Sequence, residues 1–281
     1  MAQQINRQLA KRNGSIATVI AETGGLNAMI VDSTSLPEQV ALDIITSAFD
    51  SAGQRCSACR VLFIQEDIAD HLIKLLKGRM ALLKVGDPLN PSVDIGPVIS
   101  LESVQKINAH VEQMKTEASI LMQSPLYEIT DNEITDNESS NKNYYVPPTL
   151  IEIDSLDQLK EEVFGPVLHL IRYSAKSLEQ IIEQINQTGF GLTLGIHTRI
   201  ESRAKEIAKQ VNVGNIYINR SMIGATVGVQ PFGGQGLSGT GPKAGGPHYL
   251  LRFATEKTVT NNTTAVGGNT QLLSEHFLRK G

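Results

Sequence analysis

The chain has 281 residues, of which 41% are hydrophobic, 19% charged and 5% aromatic, and its formal net charge is −4. This length accommodates one large or two small domains with a sizeable core, and the ordinary apolar content excludes global disorder. The nearly balanced charge gives no electrostatic footprint for a nucleic-acid partner, and the apolar runs are far too short to span a membrane.

Short aliphatic runs alternate with amphipathic stretches, which predicts an α/β fold with a mainly parallel sheet flanked by helices. The predicted strands are residues 18–21, 28–32, 60–65, 119–122, 167–173, 192–197 and 215–219. The predicted helices are residues 2–12, 37–53, 68–80, 178–185 and 203–211. Residues 127–143 repeat the string Glu-Ile-Thr-Asp-Asn, which predicts an exposed acidic loop.

Glu22 ends the first predicted strand and is followed closely by Gly24 and Gly25. A carboxylate at a strand end is often only solvated. Glycines allow close approach of a ligand to the backbone, however, and a partly buried glutamate can act as a general base. Glu22 is therefore a candidate base.

Cys56 lies in a polar string, Gly53-Gln-Arg-Cys56, between a predicted helix and a predicted strand. One interpretation is a small buried side chain. Another is a nucleophile whose pKa is lowered by Arg55 and by backbone amides. The spacing to Cys59 also fits a thiol–disulfide redox motif, although that motif usually follows a strand and precedes a helix. Two thiols cannot close a tetrahedral zinc site, and no histidine pair in the sequence has ligand spacing, so we expect no metal.

The number of cysteines and the first residues of the sequence indicate the cellular compartment of the protein. The sequence contains two cysteines and opens without a charged segment followed by an apolar one. Neither a disulfide framework nor a secretory signal is indicated, so we expect a cytoplasmic protein.

Residues 230–246 form the most glycine-rich part of the sequence. Gly234, Gly236 and Gly239 formally match a dinucleotide-binding fingerprint, but no apolar helix follows them, which argues against that interpretation. A glycine-rich loop can instead offer backbone N–H groups to an anion such as a carboxylate. Simple loop flexibility is the alternative.

Four ordered motifs resemble those of the aldehyde dehydrogenase superfamily. They are Glu22-Thr-Gly-Gly25, Gly53-Gln-Arg-Cys56, Glu161-Glu-Val-Phe-Gly-Pro166 and Pro231-Phe-Gly-Gly234. The spacing between Glu22 and Cys56 also agrees with that family. Longer stretches around these motifs are similar to the proline utilisation A branch, whose dehydrogenase half oxidises L-glutamate γ-semialdehyde to L-glutamate.

The resemblance implies a catalytic domain of the aldehyde dehydrogenase type with a C-terminal oligomerisation extension. It makes Cys56 the nucleophile that forms a thioester and Glu22 the base that activates water, with NAD as hydride acceptor and a small aldehyde as substrate. The implied cofactor contacts are Glu162 and Phe164, and the implied substrate contacts are Ser57, Gly245, Gly246 and Phe253. FAD would belong only to a proline dehydrogenase domain outside this sequence.

The resemblance also divides the chain. Residues 1–17 are expected to be the remnant of a preceding nucleotide-binding domain, residues 18–253 the catalytic domain, and residues 254–281 a C-terminal tail. The family's oxyanion-hole asparagine and most of its nucleotide site would precede Met1. We therefore expect an inactive fragment of a homo-oligomeric enzyme.

Two other classes of function stay open. One is a thiol–disulfide redox module using Cys56 and Cys59, which a Cys59→Ser substitution would abolish. The other is a non-catalytic assembly module in which residues 258–269 pair with another subunit.

Overall fold

A seven-stranded sheet organises the chain in the computed structural model, which describes residues 1–126 and 141–262. The chain divides into two units, Met1–Tyr249 and Leu250–Gly281. The sheet belongs to the first unit, and the described part of the second begins with the short 3-10 helix Leu250–Phe253. The domain boundaries expected from the sequence stay predictions.

The secondary structure alternates between strands and helices. The strands are β1 (Ala28–Val31), β2 (Val61–Gln65), β3 (Ser119–Gln123), β4 (Thr149–Glu152), β5 (Val167–Tyr173), β6 (Phe190–Gly191), β7 (Thr193–His197), β8 (Asn215–Ile218) and β9 (Gln235–Gly236). The helices are α1 (Ala2–Ala10), α2 (Pro37–Phe49), α3 (Glu66–Met80), α4 (Leu101–Glu117), α5 (Leu178–Gln187) and α6 (Glu201–Gln210). The strand order of the large sheet is β3-β4-β5-β2-β1-β7-β8, and β6 pairs separately with β9.

Neighbouring strands of the large sheet run parallel, except that β3 is antiparallel to β4. Every residue of β1 and β2 is buried. Central strands of a parallel sheet are covered on both faces and therefore appear as continuous apolar runs. The register aligns Ala28 of β1 with Val61 of β2 and Leu194 of β7, so these strands begin at a common edge.

Local sequence signals explain where two of the helices begin. Pro37 lies in the first turn of α2, where its missing N–H costs no hydrogen bond. Ser100 caps α4 by accepting a hydrogen bond from the N–H of Ser103 at 3.2 Å. Across the two described ranges, every helix is too short or too polar to cross a bilayer.

The mainly parallel α/β fold predicted from the sequence is confirmed, with local differences. Residues 18–21 form no strand, and the chain there makes only an isolated bridge between Glu22 and Gly239. Helix α2 ends at Phe49 and does not continue to Gly53, because the chain turns into a left-handed conformation.

Four of the helices and strands given above escape the sequence prediction, namely α4, β4 and the two-residue strands β6 and β9. Helix α4 buries Ile107, Val111 and Met114 at helical spacing, so its signal is present in the sequence. Strand β4 contains only two apolar residues, Leu150 and Ile151, whereas the equally short β1 is apolar throughout. The predicted acidic loop at residues 127–143 falls mostly on residues 127–140, which lie outside the described residues.

Candidate active site

Loops meet at the sheet edge where the parallel strands begin. Residues 22–27 lead into β1, residues 54–60 into β2, and residues 161–166 into β5. The glycine-rich loop contacts the first of these, because the N–H of Thr23 donates to the carbonyl of Ser238 at 3.1 Å. Ligands of open α/β sheets usually bind beyond the carboxyl ends of the strands. The candidate residues Glu22, Cys56 and Glu162 lie instead in loops at the opposite edge.

A tight left-handed turn presents Cys56. Ser51, Ala52 and Gly53 have φ values of 58°, 54° and 64°, so the chain leaves α2 sharply. A Cβ on Gly53 would lie 2.2 Å from the carbonyl oxygen of Gly165, so only glycine lets these two loops approach so closely. Cys56 follows and is exposed, which rules out its interpretation as a small buried side chain.

Several groups act on the ionisation of Cys56. Partial desolvation of the thiol raises the pKa of Cys56, and the carboxylates of Glu162 and Glu22 raise it further. The N–H groups of Cys56 and Ser57 lower it without outweighing these effects. The side chain of Arg55 donates from Nε to a serine hydroxyl in the preceding turn at 3.0 Å. The expectation that Arg55 and the amides give a lowered thiol pKa is therefore wrong.

Cys59 has a different environment from Cys56. It is fully buried, and its thiol donates to the carbonyl of Val61 at 3.6 Å. Burial raises the pKa of Cys59 to about 12. Because thiol exchange requires an accessible thiolate, this placement weighs against the redox module.

Glu22 stands on backbone that is fixed by its bridge with Gly239. Partial burial raises the pKa of Glu22, while a hydrogen bond from the N–H of Gly234 lowers it. The net shift is upward, toward the range in which a carboxylate exchanges protons at neutral pH. The charge of Glu22 acts on the Cys56 thiol, so the candidate base and the candidate nucleophile share one site.

Glu162 is held by an ion pair and by a backbone hydrogen bond. Its Oε1 lies 3.0 Å from Nη2 of Arg60 and accepts a hydrogen bond from Nε of Arg60 at 3.1 Å. Its Oε2 accepts from the N–H of Gly25 at 3.1 Å. A Cβ on Gly24 would lie 1.7 Å from Oε2, so this glycine leaves the space that the carboxylate fills. Burial raises the pKa of Glu162, and Arg60 and the Gly25 N–H oppose that rise.

Phe164 presents an aromatic surface beside this carboxylate. The residue is 42% exposed, and Cζ of Arg60 lies 5.0 Å from the ring centroid. The oxygens of Glu162 retain acceptor capacity after their bonds to Arg60 and Gly25. An exposed ring and a carboxylate acceptor are groups that could hold the nicotinamide–ribose end of NAD, and the two cofactor contacts implied by the family resemblance stay predictions.

The four sequence-predicted substrate contacts differ in their placement. Ser57 is buried directly behind the candidate nucleophile. Gly245 and Gly246 share the glycine-rich loop, but the N–H of Gly246 donates to a carbonyl within that loop at 3.0 Å. Phe253 lies in the second unit, and its contact with substrate stays a prediction.

Asn27 is a site residue that the sequence prediction misses. Its Nδ2 donates to the carbonyls of Cys56 at 2.6 Å and Ala58 at 3.0 Å, and its Oδ1 accepts from the N–H of Thr193 at 3.2 Å. Asn27 therefore holds the nucleophile loop against two strands. A buried asparagine directly before an apolar strand is the signal that could have identified it.

Two residues of β8 interact with the site in different ways. Asn215 donates to the carbonyl of Pro231 at 2.9 Å and accepts from the N–H of Gly233 at 3.1 Å, which anchors the loop that reaches Glu22. The hydroxyl of Tyr217 is buried and makes no hydrogen bond to any described residue. Burial raises the pKa of Tyr217, and the charge of Cys56 adds to that rise.

Comparisons with known proteins agree with this geometry. The model of the aldehyde dehydrogenase family matches residues 1–259. The chain is 50% identical over 260 residues to the bifunctional protein PutA of Klebsiella aerogenes, covering 92% of this chain and 19% of that protein. It is 37% identical over 244 residues to a 1-pyrroline-5-carboxylate dehydrogenase of a Geobacillus species, covering 86% of this chain and 45% of that enzyme. The chain therefore spans less than half the length of either relative.

Solved structures show the same similarity. A crystal structure of a Bradyrhizobium japonicum proline utilization A variant superposes with a TM-score of 0.87 at 54% identity, covering 95% of this chain and 26% of that one. A Thermus 1-pyrroline-5-carboxylate dehydrogenase with bound NAD superposes with a TM-score of 0.78 at 31% identity, covering 90% of this chain and 47% of that one.

Proposed function

The chain belongs to the aldehyde dehydrogenase family, and we propose that its site, as part of a longer enzyme, oxidises L-glutamate γ-semialdehyde, the open form of 1-pyrroline-5-carboxylate, to L-glutamate with NAD+. Similarity to PutA and to 1-pyrroline-5-carboxylate dehydrogenases supports this substrate. The observation that carries the chemistry is the exposed thiol of Cys56, on which the carboxylates of Glu22 and Glu162 both act.

Cys56 is the nucleophile of this proposal. Its thiolate adds to the aldehyde carbon, so that a C–S bond forms and the carbonyl electron pair moves onto oxygen. The N–H of Cys56, which interacts with the sulfur in the free site, can then stabilise the oxyanion. Losing one such donor typically costs on the order of 10²–10³-fold in rate.

Glu162 and Phe164 would hold the nicotinamide–ribose end of NAD. The carboxylate accepts hydrogen bonds from ribose hydroxyls, and the exposed ring packs against the nicotinamide. When bound, NAD+ supplies the hydride acceptor of the oxidation. Cys56 then carries the acyl group as a thioester.

Glu22 completes the reaction as the general base. Its carboxylate takes a proton from water, the hydroxide adds to the thioester carbon, and the C–S bond breaks to release the carboxylic product. The thiolate of Cys56 is regenerated in the same step. A base positioned in this way contributes about 10²–10⁴-fold to the rate.

Ser57 and the glycine-rich loop provide the substrate contacts of this proposal. In this proposal the α-carboxylate binds the hydroxyl of Ser57 and the N–H groups of Gly245 and Gly246. Because the N–H of Gly246 is engaged within its own loop, it must exchange that bond for the substrate. Substrate binding is therefore expected to reorganise the loop.

p-Nitrophenyl acetate tests the thiol chemistry, because an activated ester acylates a nucleophile without any hydride acceptor. Mass spectrometry should find the acetyl group on Cys56, and Cys56→Ser should abolish it. Glu22→Gln should accumulate the acetylated chain because hydrolysis stalls. Cys59→Ser is the matched control and should be acylated like the unaltered chain. Acetylation on Cys59, or persistence after Cys56→Ser, would refute the assignment.

A protection experiment tests the substrate. L-Glutamate should slow the alkylation of Cys56 by iodoacetamide, because it carries the α-amino acid group of the proposed substrate. Butyrate has a similar chain without that group and should protect weakly. Equal protection by the two would remove glutamate semialdehyde from the proposal.

A further inference from the structure

Arg60 is the most buried Arg, Lys, Asp or Glu among the described residues, with 2% of its side chain exposed. Its guanidinium donates to the carbonyls of Gly53 at 2.7 Å, Arg55 at 3.1 Å and Gly165 at 3.3 Å, in addition to its ion pair with Glu162. A buried guanidinium is tolerated when its rigid fork of donors is satisfied in this way.

These acceptors belong to two different loops. Gly53 and Arg55 precede Cys56 in the loop before β2, whereas Glu162 and Gly165 lie in the loop before β5. The backbone of Arg60 is fixed as well, because its N–H donates to the carbonyl of residue 27 at 2.9 Å. One side chain therefore ties the candidate nucleophile to the candidate cofactor contact.

The charges at the thiol require a counter-charge. Glu22 and Glu162 place two carboxylates near the sulfur, and both raise the pKa of Cys56 after the larger effect of desolvation. Burial lowers the pKa of Arg60, and the charges of Glu162 and Cys56 oppose that shift, so the guanidinium interacts favourably with both. Tyr217 is the titratable group that faces the thiol from β8.

We propose that Arg60 is a positioning residue of the reaction, which holds the loops of Cys56 and Glu162 as one unit and offsets the charge of Glu162 beside the thiol. The proposal rests on the proposed function of Cys56 as nucleophile. The cation reduces the electrostatic penalty that Glu162 imposes on thiolate formation. Glu162 can thereby stay charged, as an acceptor for ribose hydroxyls, with a smaller effect on the nucleophile.

The test is the pH dependence of Cys56 alkylation by iodoacetamide in the 281-residue chain. Arg60→Met leaves Glu162 uncompensated, so the midpoint should rise by on the order of one pH unit. Glu162→Gln leaves Arg60 uncompensated, so the midpoint should fall by a similar amount. The double variant restores a neutral pair, and its midpoint should return close to that of the unaltered chain.

Arg60→Lys separates charge from geometry. It keeps the cation but loses the planar fork, so the midpoint should stay while the rate at high pH falls. A purely structural Arg60 would change stability and the high-pH rate without opposite midpoint shifts in Arg60→Met and Glu162→Gln. Coincident midpoints in all variants would overturn the proposal.

The same variants remain informative if Arg60→Met does not fold or if the proposed function fails. If circular dichroism shows that Arg60→Met does not fold, the fall expected for Glu162→Gln and the constant midpoint expected for Arg60→Lys still decide the question. The proposed function is judged separately by acylation and protection. Acylation of Cys56 with coincident midpoints would refute the role of Arg60 alone.

Discussion

Replacing Gly24 by alanine tests how Glu162 is held. The new Cβ would lie 1.7 Å from Oε2 and 2.8 Å from Cδ of Glu162, which is closer than any real contact of this kind. The carboxylate must therefore move, and it must lose its hydrogen bond from the N–H of Gly25 or weaken its pairing with Arg60. Gly24 lies outside the left-handed region, so backbone strain does not contribute to the result.

The magnitude follows from the bonds that are lost. A hydrogen bond to a charged group contributes about 1.5–3 kcal/mol. The end of a glutamate side chain can swing into a new position, so the loss is confined to one such bond. We expect Gly24→Ala to lower the free energy of unfolding by about 2 kcal/mol, which corresponds to a fall in Tm of about 5 °C in a domain of this size.

Urea denaturation followed by circular dichroism measures this change. Gly78→Ala is the matched control, because Gly78 lies in α3 with no atom within 4 Å of an added Cβ. Alanine is favoured over glycine in a helix by about 0.5–1 kcal/mol, so this control should stabilise the chain. In a Glu162→Ala background, Gly24→Ala should cost little. An unchanged stability for Gly24→Ala, with Gly78→Ala behaving as expected, would refute the described position of Glu162.

Three other predictions follow from the contacts around the site. Brief iodoacetamide treatment should label Cys56 before Cys59, because only Cys56 is exposed; the reverse order in a peptide map would contradict the assignment. Asn27→Ala removes the hydrogen-bond partner of two carbonyls in the nucleophile loop and of one N–H in β7. It should lower the free energy of unfolding by about 3 kcal/mol and slow alkylation of Cys56, and a normal alkylation rate would contradict its positioning role. Burial lowers the pKa of His169 to about 3 in the folded chain. As the pH falls, His169 is therefore protonated in the unfolded chain before it is protonated in the folded one. That contribution to stability is complete above about pH 6.5 and is lost toward pH 3. His169→Asn should flatten the pH dependence of urea midpoints, whereas the exposed His71→Asn should not.

The central strands could be predicted because burial on both faces leaves a continuous apolar string, as in β1 and β2. Residues 18–21 are also mostly apolar, yet they form no strand because the chain there pairs only through the bridge of Glu22. Strand formation depends on a neighbour that supplies hydrogen bonds, and a single sequence does not identify that neighbour. The end of α2 is similar, since the approach of Gly53 to Gly165 is set by a distant loop.

The site divides in the same way. Cys56 and Glu22 lie in short strings whose chemistry can be recognised locally. Arg60 and Asn27 escape such recognition, because their partners lie 102 residues away at Glu162 and 166 residues away at Thr193. The prediction of a lowered pKa for Cys56 fails for the same reason. The groups that raise this pKa are brought to the thiol by the fold and not by the neighbouring sequence.

The two carboxylates beside the thiol differ in one respect that assigns their roles. Glu162 makes two contacts with the guanidinium of Arg60. For Glu22, the one described group that lowers the pKa is the N–H of Gly234. Burial raises the pKa of both carboxylates, but the charge of Arg60 and the N–H of Gly25 oppose that rise at Glu162. When two titratable groups share a site, their environments separate the proton acceptor from the fixed charge. We therefore assign proton transfer to Glu22, because protonating Glu162 would leave the buried charge of Arg60 without its partner.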